Sequence, residues 1–344
     1  MKRLVRPSTP ADAPAIVALF AEVGLQPNTD PRHLQWKYWQ PRADWPGPRS
    51  FVLMSGGELI AHAALIPGSC AWGAHQLPMI HVIDWMARRG EMGAGGTLMR
   101  HIGGLAGALL AIGGSAVTLR ILPHMGFRPA GSATGYVRTL FPLRRLVGAG
   151  NPAWKLLPRF ARSVAWTLAA PSARSSEWQA RHLGSDEISH IASVLPRPAP
   201  GMTVTGRSVE LFRYMLACPI VPIALFAVER AGRVRGYFVL ASTPGQVRIA
   251  DCWMSSDEPS DWRAMILCAV EQARHDPQAA EAVIWASDPV LAGGLQACGF
   301  HARREFPIQI RSSDVASTSA APLRVQMLDN DAAFLHEGRN DYWA

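Results

Sequence analysis

The chain contains almost no lysine. Only three of its 344 residues are lysine (Lys2, Lys37 and Lys155), so arginine supplies nearly all of the positive charge. Charged residues make up 17% of the chain and hydrophobic residues 49%, which is the composition of a globular protein rather than a disordered one. The length predicts two domains, each with a core of ordinary size.

Cysteine is also scarce. The five cysteines, at positions 70, 218, 252, 268 and 298, are widely scattered and include no CxxC pair. Zinc sites and disulfide frameworks both need closer or paired spacing. We therefore expect no metal site, no disulfide framework and a reducing, cytoplasmic environment.

No long and strongly apolar run is present. The longest uncharged stretch, residues 101–119, is nineteen residues long but contains five glycines and a Gly-Gly-Ser break. This pattern predicts a buried helix followed by a buried strand rather than a membrane span. The N-terminal apolar stretch is interrupted by Asp12 and Pro14, which does not fit a signal peptide. These features predict a cytoplasmic protein.

The net charge of +8 is concentrated in one segment, residues 141–182. Glu177 is its single acidic residue, and Trp154, Trp166 and Trp178 recur there at twelve-residue spacing. Tryptophan and arginine together are typical of peripheral contact with an anionic membrane, here the inner face, but a solvated inter-domain connector fits equally well. Nucleic acid is not expected, because no recognition motif accompanies the charge. The basic residues of segment 141–182 are Arg144, Arg145, Lys155, Arg159, Arg162, Arg174 and Arg181.

Residues 81–127 carry the most informative pattern in the chain. A β-type run ends in Asp84-Trp85, the loop Gly93-Ala94-Gly95-Gly96 follows, and a helical pattern begins there and extends to about residue 110. Small residues let backbone N–H groups approach phosphate oxygens, and a helix N-terminus adds its dipole. The stretch therefore predicts a pyrophosphate-binding turn, although tight packing of a helix on a strand would also explain the glycines.

The second half of the chain repeats this pattern. A hairpin at 223–240, a strand at 246–254, a helix at 262–274, a strand at 282–286 and a helix at 289–298 follow the order of the first half. Asp84-Trp85-Met86 corresponds to Asp251 and the residues after it, and Gly126-Phe127 corresponds to Gly299-Phe300. We interpret the chain as a duplicated domain.

The first half resembles the Gcn5-related N-acetyltransferase superfamily, over residues 3–140. That family has a loop of the form [Q/R]-x-x-G-x-[G/A], and here residues 90–95 read GEMGAG. The first position is Gly90 rather than Gln or Arg. The family's Asn falls on Ser115, its Tyr falls on Leu122, and its Gly-Phe pair is Gly126-Phe127, so the Tyr that often protonates the departing thiolate is missing.

The second half resembles the same family more weakly, over residues 202–310. It has residues 255–261 in place of the glycine loop and Leu295 in place of the Tyr. The resemblance therefore implies an α/β (α+β) protein with two tandem mixed-sheet domains, of which the second is degenerate and has lost cofactor binding. The predicted division is a first domain at 1–140, a basic connector at 141–200, a second domain at 201–311, and a flexible tail at 312–344 with a terminal strand near 323–328. The tandem form is also similar to acetyltransferases associated with polysaccharide assembly.

The resemblance implies an acyl-CoA-dependent N-acyltransferase, with acetyl-CoA as co-substrate and no metal. The acetyl group would pass directly to an amine, without a covalent enzyme intermediate. Amine acylation needs a polarised thioester carbonyl and a deprotonated amine. The resemblance assigns carbonyl polarisation to a backbone N–H near Trp85 and Met86. The expected cofactor-binding residues are Trp85, Met86, Gly93, Ala94, Gly95, Gly96, Thr97 and Ser115.

Asp84 and His81 are the candidate catalytic bases. For Asp84 the alternative is a structural hydrogen bond at a strand end, which the matching Asp251 favours, and for His81 it is a buried, satisfied ring. The acceptor is expected to be a small-molecule or saccharide amine that enters between the halves.

Trp36, Tyr38 and Trp39 either wall the acceptor pocket or pack a helix, and Asp329 and Asp331 fit a solvated turn better than a cation site. A non-catalytic scaffold in polysaccharide or cell-envelope assembly is the competing hypothesis. It is motivated by the missing Tyr and the degenerate second loop. The sequence gives no indication of oligomeric state.

Overall fold

The strands of the computed structural model join into one mixed sheet. The structure describes residues 3–25, 28–72, 75–148, 153–171, 177–312, 323–336 and 342–343. Within these ranges the strand order is β1-β2-β3-β4-β5-β13-β6-β12-β11-β10-β9-β7, and β8 pairs with β3 outside that path. The strands are β1 Arg3–Pro7, β2 Ser50–Ser55, β3 Glu58–Trp72, β4 His75–Ala87, β5 Ala108–Ile112, β6 Arg128–Thr139, β7 Trp178–Leu183, β8 Thr203–Thr205, β9 Ile223–Arg230, β10 Arg233–Thr243, β11 Gln246–Met254, β12 Glu281–Ala286 and β13 His301–Ser312.

Helices cover both faces of this sheet. Strand β3 contributes side chains to two apolar clusters. One cluster includes residues of α1, and the other includes residues of α3. The α-helices are α1 Ala13–Val23, α2 Pro31–Leu34, α3 Ala94–Ile102, α4 Ala116–Ile121, α5 Pro142–Gly148, α6 Ala153–Ala169, α7 Val209–Leu216, α8 Pro259–Ala273 and α9 Pro289–Ala297. A π turn, Gln35–Trp39, continues α2, and 3-10 turns lie at Pro10–Asp12, Leu122–Met125, Ser185–Val194, Met327–Asp329 and Asp331–Ala333.

The two halves have the same strand order, as the internal repeat predicts. Strands β1 to β5 run inward from one edge of the sheet, and β7, β9, β10, β11 and β12 run inward from the other. The first strand of the second half, β7, lies inside the predicted connector 141–200 and pairs with β9 from Trp178↔Arg230 to Leu183↔Leu225. The division of the chain at residues 140, 200 and 311 stays a prediction.

The halves exchange their last strands. The last strand of the second half, β13, pairs with β5 from Ile308↔Ile112 to Ser312↔Ala108. The last strand of the first half, β6, pairs with β12 from Glu281↔Thr139 to Ala286↔Thr134. Strands β13 and β6 also pair with each other, so separating the halves would break three backbone ladders, and their buried N–H and C=O groups would lose their partners. The halves form one structural unit.

The Gly-Phe pair has the same structural role in both copies. Gly126 and Gly299 adopt left-handed φ angles of 83° and 77°. The amide of Phe127 donates to Leu122 O at 3.2 Å, and that of Phe300 donates to Leu295 O at 3.0 Å. This bond closes a helix C-terminus and turns the chain into the following strand. Both phenylalanines are buried.

The C-terminal segment is packed rather than free where it is described. Of the predicted flexible tail, residues 313–322 lie outside the described ranges, but residues 323–336 cross the middle of the molecule. The predicted terminal strand near 323–328 is wrong, because a single bridge, Val204↔Arg324, replaces a ladder. Side chains from this segment complete the core shared by both halves, and the buried ones are Leu323, Val325, Met327, Leu328, Ala333 and Phe334.

Candidate functional site

Strands β4 and β5 separate into a wedge at the end of their parallel ladder. They pair only at Met79↔Ala108, Ile80↔Leu109 and His81↔Leu110. Beyond these pairs β4 continues to Ala87 and β5 to Ile112, and in the described residues no strand lies between them. One edge of β4 is therefore left without a strand partner where the sequence placed the candidate site.

A β-bulge lies in β4 at this wedge. The register with β3 shifts between His62↔Met86 and Ala64↔Ile83, so Asp84 and Trp85 together face one residue of β3. Asp84 has φ 48°, a left-handed conformation that is uncommon outside glycine. Bulges next to functional sites redirect backbone and side-chain groups, and here the bulge falls on the residues proposed for carbonyl polarisation and base catalysis.

The glycine loop packs against Trp85. The indole Nε1 of Trp85 donates to the carbonyl of Gly95 at 3.1 Å. A Cβ on Gly95 would lie 3.2 Å from the same nitrogen, which explains why a residue without a side chain occupies this position. Gly93 has φ 73° and forms the N-cap of α3. The loop and the bulge are thus held together by one side chain.

The amides at the start of α3 differ in their partners. The amide of Ala94 donates to Glu91 O. The amide of Thr97 donates to Gly93 O at 2.9 Å, and the Thr97 hydroxyl donates to the same oxygen at 3.0 Å. The amides of Gly95 and Gly96 donate to no acceptor in the described part of the chain. Free amides at a helix N-terminus are suited to bind an anion.

A cavity of about 1130 Å³ occupies the wedge and extends between the halves. The first half contributes β4 from His81 to Ala87, the glycine loop, and the end of β5 with Ser115. The second half and the C-terminal segment provide the opposite wall. Its lining residues there are Gln246, Arg248, Trp285, Arg304, Phe306, Met327, Asn330, Asp331, Ala332, Leu335 and Trp343.

Asp84 belongs to a buried ion cluster. Its Oδ2 lies 2.7 Å from Lys37 Nζ and accepts a hydrogen bond from the hydroxyl of Tyr38 at 2.7 Å. Lys37 also pairs with Oδ2 of Asp331 at 3.1 Å. Burial acts to raise the pKa of Asp84, but Lys37 outweighs it and holds that pKa below its ordinary value. A carboxylate with a lowered pKa is a weak base, so these contacts support the structural alternative for Asp84.

His81 is buried beneath the same wall of the cavity. Burial lowers the pKa of His81 to about 4, so the ring is neutral at pH 7. Its Nε2 lies 3.3 Å from Nδ2 of Asn330, and its Nδ1 has no hydrogen-bond partner in the described residues. A buried neutral ring of this kind agrees with the structural alternative for His81 better than with a catalytic base.

The remaining predicted residues have mixed roles. Ser115 is the N-cap of α4, where its hydroxyl accepts from the amide of Thr118 at 3.1 Å, and it lines the cavity. Met86 is buried against the cluster that contains Phe20. Leu122, at the expected Tyr position, is buried in the core under α3.

The aromatic segment before β2 packs the interior rather than the cavity. Trp36 stacks on Tyr214 with ring centroids 4.8 Å apart, and its Nε1 donates to Tyr214 O. Tyr38 is directed to Asp84, and Trp39 Nε1 donates to the Ser8 hydroxyl. None of these three aromatic residues lines the cavity, so the packing alternative is the one that the geometry supports.

The equivalent wedge in the second half is filled. Strands β11 and β12 pair as far as Ile249↔Ile284 and then diverge. The side chain of Gln326 enters there: its Oε1 accepts from the amide of Cys252 at 2.8 Å and its Nε2 donates to the carbonyl of the same residue at 2.5 Å. The space left in this wedge is about 10 Å³. Part of the C-terminal segment therefore occupies the position that is open in the first half.

The start of α8 also differs from the glycine loop. Glu258 is the N-cap of α8, and Asp261 lies in its first turn. Two carboxylates at a helix N-terminus satisfy the dipole and repel a phosphate group. The loss of cofactor binding in the second copy stays a prediction from the sequence.

A second ion cluster matches the first. Arg207 binds Asp251 through Nη2 at 2.7 Å and Asp329 through Nη1 at 2.8 Å. Tyr237 donates to Asp251 Oδ2 at 2.8 Å, as Tyr38 does to Asp84. In both clusters a cation pairs an aspartate of a wedge strand with an aspartate of the C-terminal segment. The expectation that Asp329 and Asp331 form a solvated turn is therefore wrong, because both carboxylates are buried against protein cations.

Sequence reasoning did not assign Lys37, Arg207, Gln326 or Asp331 to any site. The available signal was the rarity of lysine, which makes a single lysine inside the apolar segment at residues 34–39 unusual. A buried lysine needs a carboxylate partner, so burial of Lys37 would have required at least one buried acid. The sequence does not show which acids those are.

Comparison with known proteins establishes the fold. No protein-family model and no curated protein sequence matches the chain. Among solved structures, N-myristoyltransferase of Saccharomyces cerevisiae with bound myristoyl-CoA matches 90% of this chain and 82% of its own, with TM-score 0.61 and 12% identity. A probable N-acyltransferase of Enterococcus faecalis V583 covers 91% and 73%, with TM-score 0.59 and 11% identity. A GCN5-related N-acetyltransferase of Anabaena variabilis covers 91% and 74%, with TM-score 0.58 and 12% identity.

Proposed function

The chain has the fold of the GCN5-related N-acetyltransferases, and on that basis we propose that it is an acyl-CoA-dependent N-acyltransferase. The observation that carries the proposal is the contrast between its two wedges. The first wedge is open and adjoins a glycine loop with free amides, whereas the second is filled by Gln326 and adjoins acidic residues. One copy has kept the geometry for a ligand and the other has become structural support.

The first wedge fits the chemistry of a thioester donor. The amides of Gly95 and Gly96 at the start of α3 suit the pyrophosphate of CoA, which is anionic. The free edge of β4 beside the bulge suits the amide-containing arm of CoA and places a backbone N–H near the thioester carbonyl. A donor hydrogen bond to that oxygen stabilises the negative charge that develops during attack by an amine. We take acetyl-CoA as the donor.

The amine acceptor is proposed to approach from the second half. Trp285 and Phe306 stack with centroids 4.2 Å apart on that wall. An aromatic surface suits a small-molecule or saccharide amine that offers an apolar face. This assignment is compatible with an acceptor that spans the two halves.

We expect isothermal titration calorimetry to measure one bound acetyl-CoA per chain. The second wedge is closed by the protein itself, so a second equivalent has no place to bind. Two equivalent sites would contradict the assignment of the second copy as closed. No binding at millimolar acetyl-CoA would contradict the proposed function and would favour a non-catalytic scaffold.

We also propose that helix α6 contacts an anionic membrane surface. Leu157 and Leu168 are 77% and 82% exposed, and eleven residues, about three turns, put them on one face of the helix. Leu143 on α5 is 69% exposed, and Arg159 and Arg162 lie on the solvent side of α6. Exposed leucine beside arginine is typical of peripheral binding to acidic lipids. In the described ranges no helix is long and apolar enough to span a bilayer.

Exchange of Leu157 and Leu168 for serine is expected to abolish binding to vesicles of phosphatidylglycerol and phosphatidylcholine in a sedimentation assay. Each lost leucine removes about 1.5–3 kcal/mol of apolar burial in the membrane. Leu4→Ser is the matched control, because Leu4 is 56% exposed on β1, far from the basic segment in sequence. Equal binding by both variants would contradict the membrane contact.

A further inference from the structure

Asp331 reaches the cavity from the C-terminal segment rather than from a wedge strand. It begins the short turn Asp331–Ala333 and lines the cavity wall opposite the glycine loop. Its Oδ2 lies 3.1 Å from Lys37 Nζ, and that ammonium also pairs with Asp84 in the bulge. One lysine therefore holds a second carboxylate beside the point where the thioester carbonyl is proposed to lie.

The matching residue of the second cluster shows what a purely structural aspartate looks like here. The carboxylate of Asp329 pairs with Arg207 and also accepts from the hydroxyl of Thr205 and the amide of Gln326, both at 2.8 Å. Its side chain is 8% exposed, and it does not line the cavity. The Asp331 side chain is 14% exposed and does line it. The two clusters have the same arrangement, but of these two carboxylates only that of Asp331 lines the cavity.

We infer, as a consequence of the proposed acyltransferase function, that Asp331 is the general base that takes the proton from the acceptor amine. It meets the geometric requirement, because it is a carboxylate on the cavity wall next to the β4 bulge and on the side from which the acceptor approaches. Asp84 does not meet it equally, since its Oδ2 is occupied by both Lys37 and Tyr38.

Burial and the charges around Asp84 and Asp331 shift the pKa values of the two carboxyl groups in opposite directions. Burial raises the pKa of Asp331, Lys37 lowers it only in part, and Asp84 raises it further, so the net pKa lies above the ordinary value. Two carboxylates that share one cation ionise in sequence, and the second to ionise is the stronger base. Tyr38 also interacts with Asp331 electrostatically, and Arg248 binds the carbonyls of Ala332 and Leu335, in the same turn and just after it.

The transfer step balances with Asp331 as base. The nitrogen lone pair forms the C–N bond, and the C–S bond breaks with its electron pair on the CoA thiolate. One nitrogen proton moves to the Asp331 carboxylate and from there to water, and the thiolate takes a proton from water. The products are the amide and the free thiol of CoA, and the enzyme returns to its starting state.

Asp331→Asn tests this assignment. We would measure release of the CoA thiol from acetyl-CoA with glucosamine, ethanolamine or a lysine-containing peptide as acceptor. The variant should lower kcat/KM about 100- to 1000-fold for the accepted amine, with acetyl-CoA affinity within about threefold. The wild-type pH–rate profile should have an acidic limb, in which the rate rises as Asp331 loses its proton at a pH above the ordinary pKa of aspartate. This limb should be absent from the profile of the Asp331→Asn variant.

Asp329→Asn is the matched control, since it removes one charge from the twin cluster and should keep the acidic limb. Asp331→Glu retains a carboxylate and should keep the acidic limb at a reduced rate. This variant tests the inference if Asp331→Asn fails to fold. An Asp331→Asn enzyme with the wild-type limb and a rate within threefold would overturn the inference, as would loss of the limb in Asp84→Asn alone. Absence of amine-dependent thiol release by the wild-type protein would instead overturn the proposed function.

Discussion

Gly95→Asp is expected to weaken acetyl-CoA binding by about 100-fold or more, which corresponds to about 2.7 kcal/mol. Two effects add. The new Cβ would lie 3.2 Å from Nε1 of Trp85, so the indole that holds the loop must move. The carboxylate would also place a negative charge beside the free amides where the pyrophosphate is proposed to bind, and the helix dipole would then stabilise the side chain instead of the ligand. Titration calorimetry measures the change directly.

The control for this variant is Gly293→Asp. Gly293 lies in α9, and a Cβ there would meet no atom within 4 Å, so the substitution adds the same charge to a helix glycine without a clash. Both variants should give the thermal unfolding expected of a folded protein, and only Gly95→Asp should lose acetyl-CoA. Unchanged affinity in Gly95→Asp would contradict binding at the loop and would favour the scaffold hypothesis, under which the glycines serve packing alone.

Arg207→Met is expected to lower the free energy of unfolding by about 3–5 kcal/mol. The guanidinium side chain is 4% exposed and is the cation between Asp251 and Asp329. Burial opposes its charge, but these two carboxylates raise the pKa of Arg207 well above its ordinary value. Without the cation, two buried carboxylates face each other, and the connection between the second half and the C-terminal segment is lost. Urea unfolding followed by tryptophan fluorescence measures the loss.

The loss should depend on pH. Burial already holds the pKa of Asp251 above its ordinary value, and Arg207 is the cation that lowers it. With Arg207 gone that pKa rises further, so the folded variant binds a proton more tightly than the unfolded chain does. The variant should therefore recover stability relative to wild type as the pH falls through that raised pKa, and lose it as the pH rises. Arg32→Met is the control, since Arg32 pairs with Asp30 at the surface, and no measurable loss is expected there. Equal effects of the two substitutions would contradict a structural role for the buried cluster.

The sequence predicted the element order well because the patterns are local. The strand at 246–254 and the helix that follows it were read from alternating and helical spacing, and the structure has them at Gln246–Met254 and Pro259–Ala273. The helix predicted at 93–110 instead ends at Ile102, and β5 begins at Ala108. Three glycines between them, Gly103, Gly104 and Gly107, end the helix, and the uncharged run concealed that boundary.

The candidate site could be predicted only in part. The glycine loop and the bulge residues are adjacent in sequence to the strand that positions them, so their grouping follows from local order. Lys37, Asp84 and Asp331 are far apart in sequence, and nothing local to Asp331 indicates that it meets a lysine almost 300 residues earlier in the chain. The sequence pattern at 329–331, three polar residues in a row, is typical of an exposed turn, and only the burial of its partners changes that interpretation.

The glycine loop, the duplicated order of strands and helices, and the Gly-Phe helix ends were determined by the sequence alone, because each depends on residues within one strand–turn–helix unit. The exchange of β6 and β13, the filling of the second wedge by Gln326 and the two ion clusters were decided by the tertiary structure. Two similar halves expose equivalent edges, so local patterning cannot specify which copy receives which last strand. Long-range packing of the C-terminal segment closed the second wedge through Gln326, and the first wedge is open.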